Sequence, residues 1–119
     1  MARILAVDDS GSMRQIVGMT LKGAGHEVVL VADGVEALAF ARRETVDLVI
    51  TDVNMPGIDG ISLVRELRRL SGYRLTPLLV LTTEASSEKK LEGKSAGATG
   101  WVVKPFNPAR LLATVAKVL

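Results

Sequence analysis

Acid, hydroxyl and amine side chains stand at the ends of short apolar runs in this chain. Asp8 and Asp9 follow Ile4-Leu-Ala-Val7, Asp52 lies just past Leu48-Val-Ile50, Thr82 closes Leu78-Leu-Val-Leu81, and Lys104 follows Trp101-Val-Val103. Such runs read as buried strands of a parallel sheet, whose carboxyl ends gather along one edge where ligands bind. Three carboxylates and one ammonium would then meet in a shallow pocket. Carboxylates so close repel one another, and a hard divalent cation relieves the repulsion. No cysteine exists to join the cluster and the single histidine, His26, lies elsewhere, so the donors suit Mg²⁺ rather than zinc. The chemistry expected is the handling of phosphate with Mg²⁺.

Within that set, Asp52 is followed by Val53-Asn-Met-Pro-Gly-Ile-Asp-Gly60, a loop rich in turn residues. A carboxylate at the tip of a central strand can attack phosphorus and form an acyl phosphate. By itself such an aspartate would be a turn former; its partners change the reading. Asp9 and Asp52 are expected to bind the cation directly and Asp8 through water, with the backbone carbonyl of Asn54 as a further oxygen. Lys104 can contact a phosphoryl oxygen as a point charge, and the rigid ring of Pro105 would fix its aim. The Thr82 hydroxyl can donate to phosphate, whereas Thr83 should point away. Val53 reads as packing.

The elements that must position these groups follow from periodicity. Apolar runs alternate with amphipathic stretches, which argues for an α/β fold. Strands are expected over 3–7, 27–31, 47–51, 77–81 and 99–103. Ser12 with Gln15 and Asp33 with Glu36 have capping-box spacing, and Asn107 before Pro108 is an N-cap with proline at the first helical position. Met13, Ile16, Val17 and Leu21 form one apolar helical face, Leu63, Val64, Leu67 and Leu70 a second, and Leu111, Leu112, Val115 and Val118 a third. Gly23, Gly25, Gly72 and Gly97 sit where helices should end. The fourth helix, from Ser86 to Ala96, has Leu91 as its only large apolar residue and Gly93 in its middle, so it should be the least firmly packed. His26 falls at the opposite sheet edge and reads as a surface turn residue.

A length of 119 residues with 48% hydrophobic content is expected to form one domain over 1–119. The net charge of +2 is small, and the basic residues Arg65, Arg68, Arg69, Lys89, Lys90 and Lys94 read as solvated helix surface. One Trp, one Tyr and two Phe cannot make a base-stacking platform, so nucleic acid is not an expected partner. The absence of cysteine excludes disulfides and thiolate chemistry. No signal peptide or apolar stretch of membrane-spanning length is visible, which makes a soluble cytoplasmic protein the expectation.

The motifs Val7-Asp-Asp9 followed by Ser12-Met-Arg14, then Asp52 through Gly60 with Met-Pro-Gly-x-Asp-Gly, then Thr82, then Lys104-Pro-Phe106, resemble those of response-regulator receiver domains of two-component signalling. The resemblance spans the whole chain and is strongest to the stand-alone chemotaxis regulators of the CheY type. It implies a flavodoxin-like, doubly wound, five-stranded parallel sheet with five helices; the strand order 2-1-3-4-5 is taken over from the family. It also implies Asp52 as phosphoacceptor, Asp8, Asp9 and Asp52 as Mg²⁺ ligands, and Thr82 and Lys104 as contacts to the phosphoryl group. The donor would be the phosphohistidine of a chemotaxis-type histidine kinase. Asn54 and Glu84 occupy the positions that tune hydrolysis in receivers, a step a partner phosphatase can assist. Such a protein is a switch that catalyses its own phosphorylation and dephosphorylation rather than a conventional enzyme. Output would run through Thr82 and Trp101 to a face made of helix four, strand five and helix five, with a flagellar motor switch protein as the partner of a monomer. Trp101 stands where the best-known members have tyrosine, and its bulk bears on how deeply it can bury.

Rival readings fit less well. A phosphate sink or a phosphorelay receiver shares the same site. A Mg²⁺-dependent aspartyl phosphatase of the haloacid-dehalogenase type needs a second aspartate where Asn54 stands. A flavodoxin needs a first loop that attracts phosphate, whereas Asp8-Asp9 repels it.

Overall fold

The computed structural model describes residues 1–119. Five parallel strands, β1 (Arg3–Val7), β2 (Glu27–Val31), β3 (Leu48–Thr51), β4 (Leu78–Thr82) and β5 (Gly100–Val103), form one sheet in the order β2-β1-β3-β4-β5. Helices α1 (Gly11–Gly23), α2 (Gly34–Arg43), α3 (Gly60–Arg69), α4 (Ser87–Ala96) and α5 (Pro108–Val118) make the crossovers, and a short 3₁₀ turn, Ser71–Tyr73, follows α3. The expected flavodoxin-like α/β architecture and strand order are therefore found. No helix is long and apolar enough to cross a membrane.

Side-chain alternation along the strands divides the core into two layers. Leu5, Val7, Val49, Leu78 and Val80 face one side and pack with Ala37, Leu38, Leu63, Val64, Leu67 and Tyr73. Ile4, Ala6, Leu48, Ile50, Leu79 and Leu81 face the other and pack with Val17, Leu21, Leu111 and Val115. Each fully buried leucine here contributes about 1.5–3 kcal/mol relative to exposure. With helices on both faces, β3 and β4 are buried along their whole length.

Strand limits match the expected ones to within a residue, with β4 displaced by one so that Thr82 is its last residue. Asp33 and Asn107 cap their helices as expected, accepting from the amides of Glu36 and of Ala109 and Arg110. Four readings need correction. The N-cap of α1 is Ser10, whose hydroxyl accepts from Met13 N–H, not Ser12. The Asp8 carboxylate already accepts from Ser10 N–H, which places Ser10 and not Ser12 at the helix entrance. Ile16 is 49% exposed and does not join Val17 and Leu21 in the core. Gly72 lies in the 3₁₀ turn, while α3 ends at Arg69 with Leu70 as its C-cap, and Gly23 is the last helical residue of α1 with Ala24 as its C-cap. His26 is half-buried at the amino edge of the sheet, its Nδ1 accepting from Ala2 N–H.

Arg68 also departs from its reading as solvated surface. Its guanidinium donates to the carbonyls of Tyr73 and Thr76 at 2.7 Å and of Gly97 at 2.8 Å, and touches the Thr99 hydroxyl. It thereby ties the end of α3 to the end of α4 and the start of β5. Its partial burial holds its pKa below the ordinary arginine value.

Candidate functional site

Parallel pairing brings the ends of β1, β3, β4 and β5 to one edge. Val7 lies level with Thr51, and Thr82 with Val103. The ladder continues one step past the strands: Asp52 N–H donates to Val7 C=O and Lys104 N–H to Thr82 C=O. These bonds put the residue after each strand at a fixed height on the edge.

The side chains then converge. Lys104 Nζ lies 2.8 Å from Asp8 Oδ2 and 3.1 Å from Asp52 Oδ2. All three side chains are largely withdrawn from water, at 8%, 8% and 12% exposure for Lys104, Asp8 and Asp52. Asp9 completes the acidic set: one oxygen each from Asp8, Asp9 and Asp52 lies within 4.8 Å of the others. Burial alone would depress the Lys104 pKa, but hydrogen bonds and charge attraction from Asp8 and Asp52 outweigh it and hold the pKa above the ordinary lysine value. The amine is therefore protonated at neutral pH.

Each carboxylate is aimed by further bonds. Asp52 Oδ1 accepts from Val53 N–H at 2.7 Å, and Asp8 Oδ1 from Ser10 N–H at 2.9 Å. Arg14 Nη1 donates to the Asp8 carbonyl at 2.6 Å, bracing the Asp8-Asp9 peptide from α1. Asp9 is exposed and free to face a ligand. The Lys104-Pro105 peptide is cis. The donor set consists of carboxylate oxygens on a solvent-accessible edge, which fits a hard cation that keeps some of its waters.

Thr82 is fully buried, and its hydroxyl accepts from Glu84 N–H at 3.2 Å. Asn54 is exposed and Glu84 half-exposed beside the edge. Trp101 is half-buried on β5, and its indole N–H donates to the Glu84 carbonyl at 2.9 Å. The structure thus brings Asp8, Asp9, Asp52 and Lys104 into one cluster and links Thr82 to Trp101 through a single residue.

Gly60 is a positioning residue that the sequence reading missed. A β-carbon there would collide with the Asp52 carbonyl oxygen. The first turn of α3 is seated on the Asp52 peptide, and Gly60 N–H donates to Val53 C=O. Asp59, the N-cap of α3, was likewise missed, although Asp59 with Gly60 before an apolar run is a legible helix start. Arg14 was legible only as part of the Ser12-Met-Arg14 motif; its bond to the Asp8 backbone carbonyl had no local signal.

Comparison with known proteins agrees with this arrangement. Residues 4–116 match the response regulator receiver domain. The crystal structure of chemotaxis protein CheY4 from Vibrio cholerae superposes with a TM-score of 0.96 and 57% identity, covering 100% of this chain and 99% of that one. Chemotaxis protein CheY-3 of Vibrio cholerae is 38% identical over 98% of this chain and 90% of its own length. The probable transcriptional regulator ycf27 of Porphyridium aerugineum is also 38% identical, but there the chain spans only 48% of the relative's length. Receiver domains are signalling switches that work with histidine kinases. From its matched length, its doubly wound sheet and the acids and lysine gathered on one sheet edge, the chain belongs to the response regulator receiver domain family, in its CheY-type form.

Proposed function

We propose that Asp52 accepts a phosphoryl group from the phosphohistidine of a chemotaxis-type histidine kinase, and that the whole chain acts as the receiver unit. The observation that carries this reading is the hydrogen bonding of Lys104 Nζ to both Asp8 and Asp52, with Asp9 beside them. A carboxylate oxygen of Asp52 attacks phosphorus; the N–P bond breaks as the O–P bond forms, and the departing imidazole takes up a proton. Asp8, Asp9 and Asp52, with the Asn54 backbone carbonyl, would hold Mg²⁺, which when bound neutralises charge on the phosphoryl oxygens. Lys104 moves its hydrogen bond from carboxylate to phosphoryl oxygen, keeping its positive charge throughout. Thr82 donates its hydroxyl to the same group. Asn54 and Glu84 shield or admit the water that later hydrolyses the acyl phosphate.

Output follows from the Thr82, Glu84 and Trp101 chain of contacts. A Thr82 hydroxyl turned toward phosphate shifts the support under Glu84 N–H, and Glu84 holds the indole. Such a shift biases the face formed by α4, β5 and α5 between two arrangements. The partner we assign to that face is the flagellar motor switch; the likeness to CheY4 and CheY-3 supports this target.

Labelling by acetyl phosphate tests the acceptor. The native chain should label in the presence of Mg²⁺ and Asp52→Asn should not; equal labelling of the variant would remove Asp52 from the role. Millimolar Mg²⁺ should also raise the melting temperature of the native chain by mass action, and an unchanged melt across the titration counts against the cation site. A motor-switch peptide should bind the phosphorylated chain more tightly than the unphosphorylated one. Equal affinity would point instead to a phosphate sink or relay.

A further inference from the structure

Gly93 has no explanation in the stability of its own helix. It sits in the middle of α4, where glycine is destabilising relative to alanine. That helix has little other grip, since Leu91 is 65% exposed and the buried residues of α4 are Gly93 and Ala96. The explanation lies across the gap on β5. A β-carbon on Gly93 would fall 2.7 Å from Trp101 Cζ3 and 3.1 Å from Cε3. Carbon atoms in ordinary contact stand at about 3.5–4.0 Å, so the six-membered ring occupies space that any side chain at position 93 would claim. The other edge of the indole donates its N–H to Glu84 C=O at 2.9 Å. The ring is thus held in a notch in α4 on one side and by a carbonyl of the β4–α4 loop on the other.

We propose that Gly93 is the positioning residue for Trp101. Its missing side chain lets an indole dock against α4 where a smaller ring would otherwise be needed, and so joins α4, the β4–α4 loop and β5 into one responsive unit. This deepens the reading of Trp101 as the output reporter and rests on it for the functional consequence. The notch itself stands independently of where phosphate is accepted. Two features make the pairing specific: the contact is with the far rim of the six-membered ring, which only tryptophan carries to that point, and the hydrogen bond uses the indole N–H.

The chain has one tryptophan, so its fluorescence reads position 101 alone. Gly93→Ala in the full chain should shift the emission to longer wavelength, increase quenching by acrylamide and lower the melting temperature. In a Trp101→Ala background the same change should raise the melting temperature by about 4 °C, because the ring is gone and alanine favours the helix. That reversal of sign is what a merely structural glycine would not produce. A rise in both backgrounds with unaltered emission would overturn the proposal. Should Gly93→Ala fail to fold, a folded Gly93→Ala/Trp101→Ala double variant supports the notch and an unfolded one refutes it. Labelling by acetyl phosphate on the same samples separates the two levels. Unchanged labelling of Gly93→Ala with a diminished phosphorylation-dependent change in emission supports a positioning role, and an undiminished change overturns it. Loss of labelling in the native chain would instead sink the phosphoacceptor reading while leaving the melting and quenching results to judge the notch.

Discussion

The centre of the sheet and its α4–β5 edge are built differently. β3 and β4 are buried throughout, and α3 beside them contributes Leu63, Val64 and Leu67 at no exposure. At the edge, no residue of β5 is fully buried, and α4 sends no large side chain into the core. The edge is instead held by polar ties: Arg68 to the Gly97 carbonyl at the end of α4, and Trp101 to the Glu84 carbonyl before its start. Close-packed regions resist displacement, while segments held by a few hydrogen bonds open at low free-energy cost. The acids therefore hang from the firm part, at the ends of β1 and β3, where position must be kept, and Lys104 reaches them from the end of β5. The face assigned to output occupies the part that can shift.

Substitutions on the two sides should separate this contrast by size. Gly60→Ala should have the largest effect, destabilising by about 3 kcal/mol or preventing folding, because the added methyl meets the Asp52 backbone rather than a yielding side chain. Urea melts would measure it; a loss under 1 kcal/mol, on the order of a surface change, would mean that α3 is not seated as described. Leu67→Ala should cost about 3 kcal/mol through the cavity it leaves. Arg68→Met keeps the aliphatic stem but strands several carbonyls, for about 2 kcal/mol. Its signature should be faster amide exchange confined to α4 and the start of β5, and uniform acceleration would contradict a local tie. At the lower end, Leu91→Ala on the exposed side of α4 should stay within about 0.5 kcal/mol.

The firm side carries a pH effect of its own. Burial pushes the Tyr73 phenol above its ordinary pKa of 10.0, and its hydroxyl donates to the Glu44 carbonyl. A group that holds its proton more tightly when folded contributes stability below its unfolded pKa and loses it as pH rises through the folded value. Stability should therefore fall above pH about 10. Tyr73→Phe should flatten part of that alkaline decline while leaving α4 exchange unaltered; an identical decline in the variant would remove Tyr73 as its source.

Local patterns made the strands, the Asp33 and Asn107 caps and the acid-and-lysine edge legible. Each depends on residues near one another in sequence, or on the rule that parallel strands share a carboxyl edge. Four features were not legible for a common reason. Arg68 looks like any helix-face arginine until the carbonyl of Gly97, far along the chain, is placed beside it. Gly60 and Gly93 owe their identity to a peptide and a ring that arrive from other elements. Ile16 keeps the helical spacing of its neighbours, yet the width of the buried stripe stops short of it. The error at Ser12 is of another kind: its spacing to Gln15 mimics a capping box, but the helix has already begun at Gly11, and the Asp8 carboxylate reaching Ser10 N–H sets the entrance at Ser10.

The seating of α3 on the Asp52 peptide turns the intervening segment into a cassette between two pinned ends. Asp52 and Val53 are fixed below, Asp59 and Gly60 above, while Asn54, Pro56 and Gly57 face solvent. On the proposed reading, exchanges confined to positions 54 and 56 would retune how long a phosphorylated Asp52 survives without disturbing the scaffold, whereas Gly57, at φ 78°, is held by its left-handed backbone. The upper end is narrower: Gly60 has no room for a β-carbon, and position 59 needs a side-chain acceptor for Ser62 N–H.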